Sequence, residues 1–215
     1  YFNQDDIIDG WMSQLSNKIF VSAPMISLQR DFGYSDVTSK NNSAGRVEKL
    51  FVETIERWRT LKLVENHIKN STSKFPKIYD NDDIQLPAYV NYFSECKNRA
   101  KYIEEQFNGK SEFILSFVRD IKEKLTTTDA WNGIKNIIEG AIAKDEDIIL
   151  ICEKDHIFSN SYNKQTFFEA VYQGAYVGAD LVLGGISNTQ QVLPVNKNLC
   201  WVNSFTGSQF IVIYS

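Results

Sequence analysis

The sequence lacks the features that mark several large classes of protein. No stretch approaches the run of about 18 apolar residues that a membrane-spanning helix needs, and residues 1–10 are acidic where a signal peptide would be basic. The only cysteines, Cys96, Cys152 and Cys200, are widely spaced and odd in number. They therefore predict neither a disulfide framework nor a zinc cluster, and they suit a reducing compartment. We expect a cytoplasmic protein without a transmembrane segment.

An excess of positive charge is also absent. The chain has 23 Lys and Arg against 27 Asp and Glu, a net charge of −4, so no overall field attracts it to nucleic acid or to anionic lipid. What the chain does have is apolar surface to bury, because 43% of its 215 residues are hydrophobic and 13% are aromatic. Composition therefore predicts a folded globular protein of one to two domains.

Hydrophobic periodicity predicts strands that alternate with helices over the rear of the chain. The predicted strands cover 88–93, 112–118, 147–152 and 180–186, and the predicted helices cover 97–107, 128–143 and 164–177. The front carries a short strand at 18–23 and a long amphipathic helix at 46–68. This alternation predicts an α/β fold of three layers, with a mainly parallel sheet and helices on both of its faces.

A change of composition divides the chain. Ser, Thr, Asn, Asp and Pro dominate residues 70–86, which is typical of a connector between packed units. We therefore predict a front segment at 1–69, a linker at 70–86 and a rear portion at 87–215.

Two acidic residues follow the most apolar predicted strand. Glu153 and Asp155 flank Lys154 directly after the run that ends at Cys152. Ligands of parallel sheets bind beyond the carboxyl ends of strands, and carboxylate oxygens suit Mg²⁺ or Mn²⁺, which also bind substrate phosphates. The spacing fits a cation site, and it fits equally a charged turn that is merely solvated.

The surroundings of this pair resemble a known family. The stretch DEDIILICEKDHIFSNSYNKQTFFEAVYQGAYVGADLVLGG resembles the metal-site region of GT-A (Rossmann-like) glycosyltransferases, particularly the lipopolysaccharide-type family, in which a strand ends in Glu-Asp-Asp. Lys154 replaces the middle acid. The resemblance implies that Glu153 and Asp155 bind Mn²⁺ or Mg²⁺ together with a nucleotide diphosphate sugar, and that Lys154 weakens the binding of the metal.

Two further stretches resemble parts of the same family. AYVNYFSECKNRAKYIEEQF is similar to the opening strand and the Arg-bearing helix, which implies that Asn91 and Arg99 face the donor nucleotide, although Arg99 could instead pair with Glu95. LCWVNSFTGSQFIVIYS is similar to the strand that lines the sugar and acceptor pocket. Trp201 in that strand either stacks on a sugar or fills the core.

The order of the matching portions is unusual. Residues 87–215 resemble the first two thirds of such a domain, and residues 1–69 resemble the segment that normally closes it. Either the chain is a fragment of a tandem transferase, or it is a rotated chain whose front completes its own rear. From the sequence we favour the tandem fragment.

The resemblance implies a metal-dependent hexosyltransferase that moves a sugar from a nucleotide diphosphate sugar to a saccharide hydroxyl, in the synthesis of surface polysaccharide or lipopolysaccharide. In the acidic cluster Asp5, Asp6 and Asp9, we expect Asp6 or Asp9 to be the general base. The same residues would also suit the first turn of a helix. A noncatalytic sugar- or protein-binding relic and a nucleotidyltransferase-like enzyme are the alternatives.

Overall fold

The structure is a computed structural model that describes residues 8–30, 46–60, 84–93, 97–120 and 127–215. Within these ranges, the side chains of residues 8, 47–48, 58–60, 91–93, 97–99, 119–120 and 127–130 are not described. The described helices are α1 (Ile8–Leu15), α2 (Arg46–Thr60), α3 (Lys97–Phe107), α4 (Thr127–Ile142) and α5 (Lys164–Tyr176). Among them, none combines the length and the apolar character required to cross a bilayer.

One large sheet organises the molecule. Its strands are β1 (Ile19–Ser22), β3 (Leu86–Phe93), β4 (Phe113–Asp120), β5 (Ile148–Cys152), β7 (Leu181–Leu183), β8 (Val192–Pro194), β9 (Leu199–Val202) and β10 (Phe210–Tyr214). Their order across the sheet is β4-β3-β5-β10-β7-β1-β9-β8. A separate two-stranded sheet pairs β2 (Ser27–Gln29) with β6 (His156–Phe158) in antiparallel fashion. The fold is therefore α/β, as the sequence predicted.

The prediction of a mainly parallel sheet is wrong, because the sheet is mixed. Neighbours β1–β7, β3–β4 and β3–β5 are parallel. By contrast, β10 runs antiparallel to both β5 and β7, and β9 runs antiparallel to β1 and β8. Parallel neighbours need a long crossover, usually a helix, whereas antiparallel strands need only a short loop. No helix lies between Leu181 and Tyr214, a stretch the structure describes throughout, and within it β9 and β10 run opposite to β7.

Helices cover both faces of the sheet, as expected. On one face, Leu150, Cys152, Phe210 and Val212 belong to a buried cluster that includes side chains of α3 and α5. The neighbouring residues Ile149 and Ile151 point to the other face and pack with α4. Successive residues of a strand point to opposite faces, so a strand buried on both sides must be apolar throughout.

The front segment is built into this sheet. Ile19–Val21 pair in parallel with Leu181–Leu183 of β7, and Ile19–Ser22 pair with β9 on the other side. Met12 of α1 and Phe51 of α2 join Ile19 and Val21 in one buried cluster. Strands from both sides of the predicted linker thus share a single sheet. Most of residues 70–86 lie outside the described part, although β3 already begins at Leu86.

The start of β2 crosses close to the residues that follow β7. The backbone N–H groups of Ile26 and Ser27 donate to the carbonyl oxygen of Gly184 over 2.7 and 3.0 Å. A Cβ atom at Gly185 would lie 2.1 Å from the carbonyl oxygen of Ser27, so a residue with a side chain does not fit there. This contact directs β2 across the carboxyl end of β7, toward the end of β5.

Candidate functional site

The candidate site lies at the edge of the sheet where β5 ends and β10 begins. Glu153 follows the last residue of β5, and Gln209 precedes the first residue of the antiparallel β10. The backbone N–H of Glu153 donates to the carbonyl oxygen of Gln209 over 3.0 Å. Antiparallel pairing therefore places the start of one strand beside the acidic turn that ends the other.

The Gln209 side chain connects the two predicted metal ligands. With its amide oriented so that the nitrogen faces acceptors, Nε2 donates to Asp155 Oδ1 over 2.6 Å and also to Glu153 Oε2. Gln209 is only 5% exposed, so its side chain has little freedom to move away. The structure thus brings together the carboxyl groups that the sequence singled out, around one amide nitrogen.

The front segment holds Asp155 from its other side. Gln29, the last residue of β2, donates from Nε2 to Asp155 Oδ2 over 2.7 Å. The backbone N–H of Arg30 donates to the carbonyl oxygen of Asp155 over 2.7 Å. Both oxygens of the Asp155 carboxyl therefore accept a glutamine amide.

Asp9, one of the two predicted bases, lies at the start of α1 and joins the same site. Its carboxylate accepts the backbone N–H groups of Gly207 and Ser208. Burial nevertheless raises the pKa of Asp9 from 3.8 to about 6, since these two hydrogen bonds oppose the shift only in part. Gly207 has a φ of 71°, a left-handed conformation that favours glycine.

The neighbouring carboxyl groups at this edge raise the proton affinity of Glu153. Part of the Glu153 residue is open to solvent, but protein atoms surround its carboxyl group. This loss of hydration, together with the charges of Asp155 and Asp9, raises the pKa of Glu153 well above its usual range. Lys154 is half-buried, and its burial lowers the pKa of its ammonium group despite the attraction of Asp155. The acidic turn therefore combines a carboxyl group that holds its proton more tightly than usual with a lysine that releases its proton more readily.

The remaining predicted residues are only partly described. Asn91 lies in β3 one residue beyond the pairing of Val90 with Cys152, which places its backbone at the level where Glu153 begins. Arg99 is the third residue of α3. The side chains of both lie outside the described part of the structure, as does the whole of Asp6. Their predicted roles stay predictions.

Two other residues of the stretches that resemble the transferases are accounted for by the core. His156 is fully buried, its Nδ1 lies 2.8 Å from Ser27 Oγ, and burial lowers its pKa to about 3. Trp201 packs against the buried cluster, and its indole donates to the carbonyl oxygen of Asn17 over 2.6 Å, before β1 begins. Trp201 therefore lies toward the opposite end of the strands from Glu153.

The donor set at this edge fits a divalent cation that also binds substrate. Among the described residues, no group of three or more His, Cys, Asp or Glu side chains has the arrangement of a complete metal site. Mg²⁺, however, is usually held by one or two carboxylates, substrate phosphates and waters. Glu153 and Asp155, which contact one nitrogen from two sides, meet that smaller requirement.

Comparisons with known proteins give no match for this chain. No family model matches it, and neither a curated protein nor a solved structure shows significant similarity.

Sequence reasoning missed Gln29 and Gln209. Both stand at an end of a short strand, and the pairing of that strand, rather than any motif, brings the amide to the acidic turn. The one available signal was that Gln209 directly precedes an uninterrupted apolar run at Phe210–Tyr214. The sequence does not show that this run pairs with β5 in the antiparallel direction. Without that direction, nothing indicates that its first residue lies beside Glu153.

Proposed function

We propose that this chain is a metal-dependent glycosyltransferase, which transfers a hexosyl group from a nucleotide diphosphate sugar to a saccharide hydroxyl. One observation carries the proposal: Asp9, Glu153 and Asp155 converge at one edge of the sheet, held by a shared set of amide donors. The resemblance of the sequence to GT-A transferases supports the same reaction. We place the protein in the cytoplasm, in the synthesis of surface polysaccharide or lipopolysaccharide.

Glu153 and Asp155 would hold Mn²⁺ or Mg²⁺ together with the diphosphate of the donor. The bound cation supplies Lewis-acid stabilisation of the negative charge that develops on the leaving diphosphate. Lys154, between the two acids, adds a positive charge to the same turn. Asn91 and Arg99 are the residues that we propose for contact with the nucleotide.

Asp9 is the proposed general base. In the reaction, the acceptor oxygen forms a bond to the anomeric carbon, the bond from that carbon to the diphosphate breaks, and the acceptor proton passes to the Asp9 carboxylate. A pKa of about 6 suits this role, because the group is ionised at neutral pH and still accepts a proton readily. Asp6 is proposed for the same region of the site.

The position of β1 favours the rotated-chain reading over a tandem fragment. The front segment contributes β1 to the sheet, Asp9 to the site and Gln29 to the support of Asp155. A front segment that completes its own rear portion would make all these contacts within one domain.

A noncatalytic sugar-binding relic is the second candidate, because the half-buried Lys154 stands between the two acids in the chain and interacts with the charge of Asp155. This lysine would offset part of the charge that a cation would otherwise neutralise.

The deciding experiment is a thermal-shift titration with UDP or GDP, with and without Mn²⁺, followed by product analysis with sugar nucleotides. Stabilisation by a nucleotide that requires Mn²⁺, with release of a nucleoside diphosphate, supports the transferase. Saccharide binding without turnover supports the relic. Release of pyrophosphate would indicate a nucleotidyltransferase.

A further inference from the structure

Gln209 is a buried residue that contacts both proposed metal ligands. It is 5% exposed, and its backbone and side chain both contact the acidic turn: the carbonyl oxygen accepts the N–H of Glu153 over 3.0 Å, while Nε2 faces both carboxyl groups. An amide nitrogen carries two N–H groups that diverge in a fixed plane. One nitrogen that donates to Glu153 and to Asp155 therefore fixes the separation of the two carboxyl groups.

The same short stretch also positions the proposed base. The N–H groups of Gly207 and Ser208 bind the Asp9 carboxylate, and the next residue is Gln209. A Cβ atom at Gly207 would lie 2.2 Å from Ser187 Oγ, so this stretch packs tightly against its neighbour. Residues 207–209 thus set the relative placement of all three carboxyl groups.

We propose that Gln209 is the positioning residue of the cation site, which holds Glu153 and Asp155 at the separation that a divalent cation requires. This inference rests on the proposed function, since it assigns the two acids to a metal. Two like charges that face each other repel, and without the bridging donor their side chains would turn apart into solvent. The amide holds the two side chains together before a cation binds, so the binding of the cation needs less ordering of its ligands.

The chain offers a matched control for this role. Gln173 on α5 is buried to nearly the same extent as Gln209, at 6% exposed, and its Oε1 has no hydrogen-bond partner in the described part of the structure. Methionine is close to glutamine in shape and lacks the amide. Gln173→Met therefore makes the same loss of a buried amide at a position where the described structure shows no hydrogen bond from that amide to a carboxyl group.

The test compares Mn²⁺ binding, measured by electron paramagnetic resonance, for the wild-type chain, Gln209→Met, Gln209→Asn and Gln173→Met, each with and without UDP. Circular dichroism checks that every variant is folded. We expect Gln209→Met to bind Mn²⁺ about tenfold or more weakly, because hydrogen bonds to charged groups are involved. Gln173→Met should match the wild type. Gln209→Asn, whose shorter side chain cannot span both acids, should also bind weakly, and it gives the test if the methionine variant fails to fold.

Two results would overturn the proposal, and they have different consequences for the proposed function. If the wild type and both Gln209 variants bind Mn²⁺ equally, the cation site exists but Gln209 does not position it, and the proposed function stands. If the wild type binds no Mn²⁺ with or without UDP, the metal assignment of Glu153 and Asp155 falls together with this inference.

Discussion

Gln29 Nε2 donates a hydrogen bond to Asp155 Oδ2 over 2.7 Å, although 126 positions separate the two residues in the chain. Gln29 belongs to the front segment and Asp155 to the acidic turn after β5. The bond forms because β2 pairs with β6, which begins at the residue after Asp155. The geometry of the candidate site therefore depends on contacts between the front and the rear of the chain.

This bond should be measurable as a coupling energy. In a double-mutant cycle of Gln29→Leu and Asp155→Ala, followed by urea unfolding, we expect a coupling of about 1.5–3 kcal/mol, the range for hydrogen bonds to charged groups. The matched control is the exposed pair Gln165 and Glu169 on α5, 3.2 Å apart, where the coupling should stay near about 0.3 kcal/mol. Equal couplings in the two cycles would contradict the special role of the first pair.

Asp9→Asn should raise stability in a pH-dependent way. Because the pKa of Asp9 in the folded protein, about 6, lies above its ordinary value of 3.8, the folded state binds more protons between these pH values and loses stability as the pH rises through them. At pH 8 the full cost, of order 1–3 kcal/mol, is present, and the asparagine variant avoids it. At pH 3 both forms are neutral and the difference should vanish.

Urea unfolding of both proteins from pH 3 to pH 8 checks this prediction, and a stability difference that grew toward low pH would contradict it. The same variant should lose transferase turnover while it still binds Mn²⁺ and nucleotide, because only the proposed base is removed. Ser13→Ala on α1 is the control for local packing, since its hydroxyl donates to the Asp9 backbone carbonyl, not to its carboxyl group, over 2.7 Å.

Changes at Lys154 and Glu153 should move cation binding in opposite directions. Lys154→Asp removes a positive charge and adds an acid, so we expect Mn²⁺ to bind about tenfold more tightly. Glu153→Gln removes one ligand and the repulsion from Asp155 and Asp9, so it should melt at a higher temperature at pH 8 while it loses Mn²⁺ binding. Thermal-shift titrations with Mn²⁺ measure both effects. A glutamine variant that still bound Mn²⁺ as the wild type does would remove Glu153 from the ligand set.

Gly185→Ala tests the crossing that brings β2 to the site. The new Cβ atom would overlap the Ser27 carbonyl oxygen, so the backbone must shift, at a cost of about 1–3 kcal/mol in unfolding free energy and with weaker Mn²⁺ binding. Gly140→Ala in α4 is the control, because nothing lies within 4 Å of its Cβ position. Alanine there should stabilise the helix by about 0.5–1 kcal/mol. A neutral effect at Gly185 would show that the crossing is loose.

Local sequence patterns predicted most of the single elements. Helix α3 matches its predicted bounds, and β5 and α5 differ by one residue at an end, because each has a clear hydrophobic period and a defined stop. The short strands β2, β6 and β8 were not predicted, since three residues carry too little periodicity. The predicted direction of the sheet was wrong for β10, because the direction of a strand depends on its connection rather than on its own composition.

The sequence by itself determined that Glu153 and Asp155 follow a strand buried on both faces, and that Asp9 lies at the start of a helix. Both follow from local rules of burial and helix termini. Only the tertiary structure decided that these carboxyl groups meet, that Gln29 and Gln209 hold Asp155 from two sides, and that the pKa of Asp9 rises to about 6. These features depend on which strands pair and on how much protein surrounds each charge, and residues distant in the chain set both.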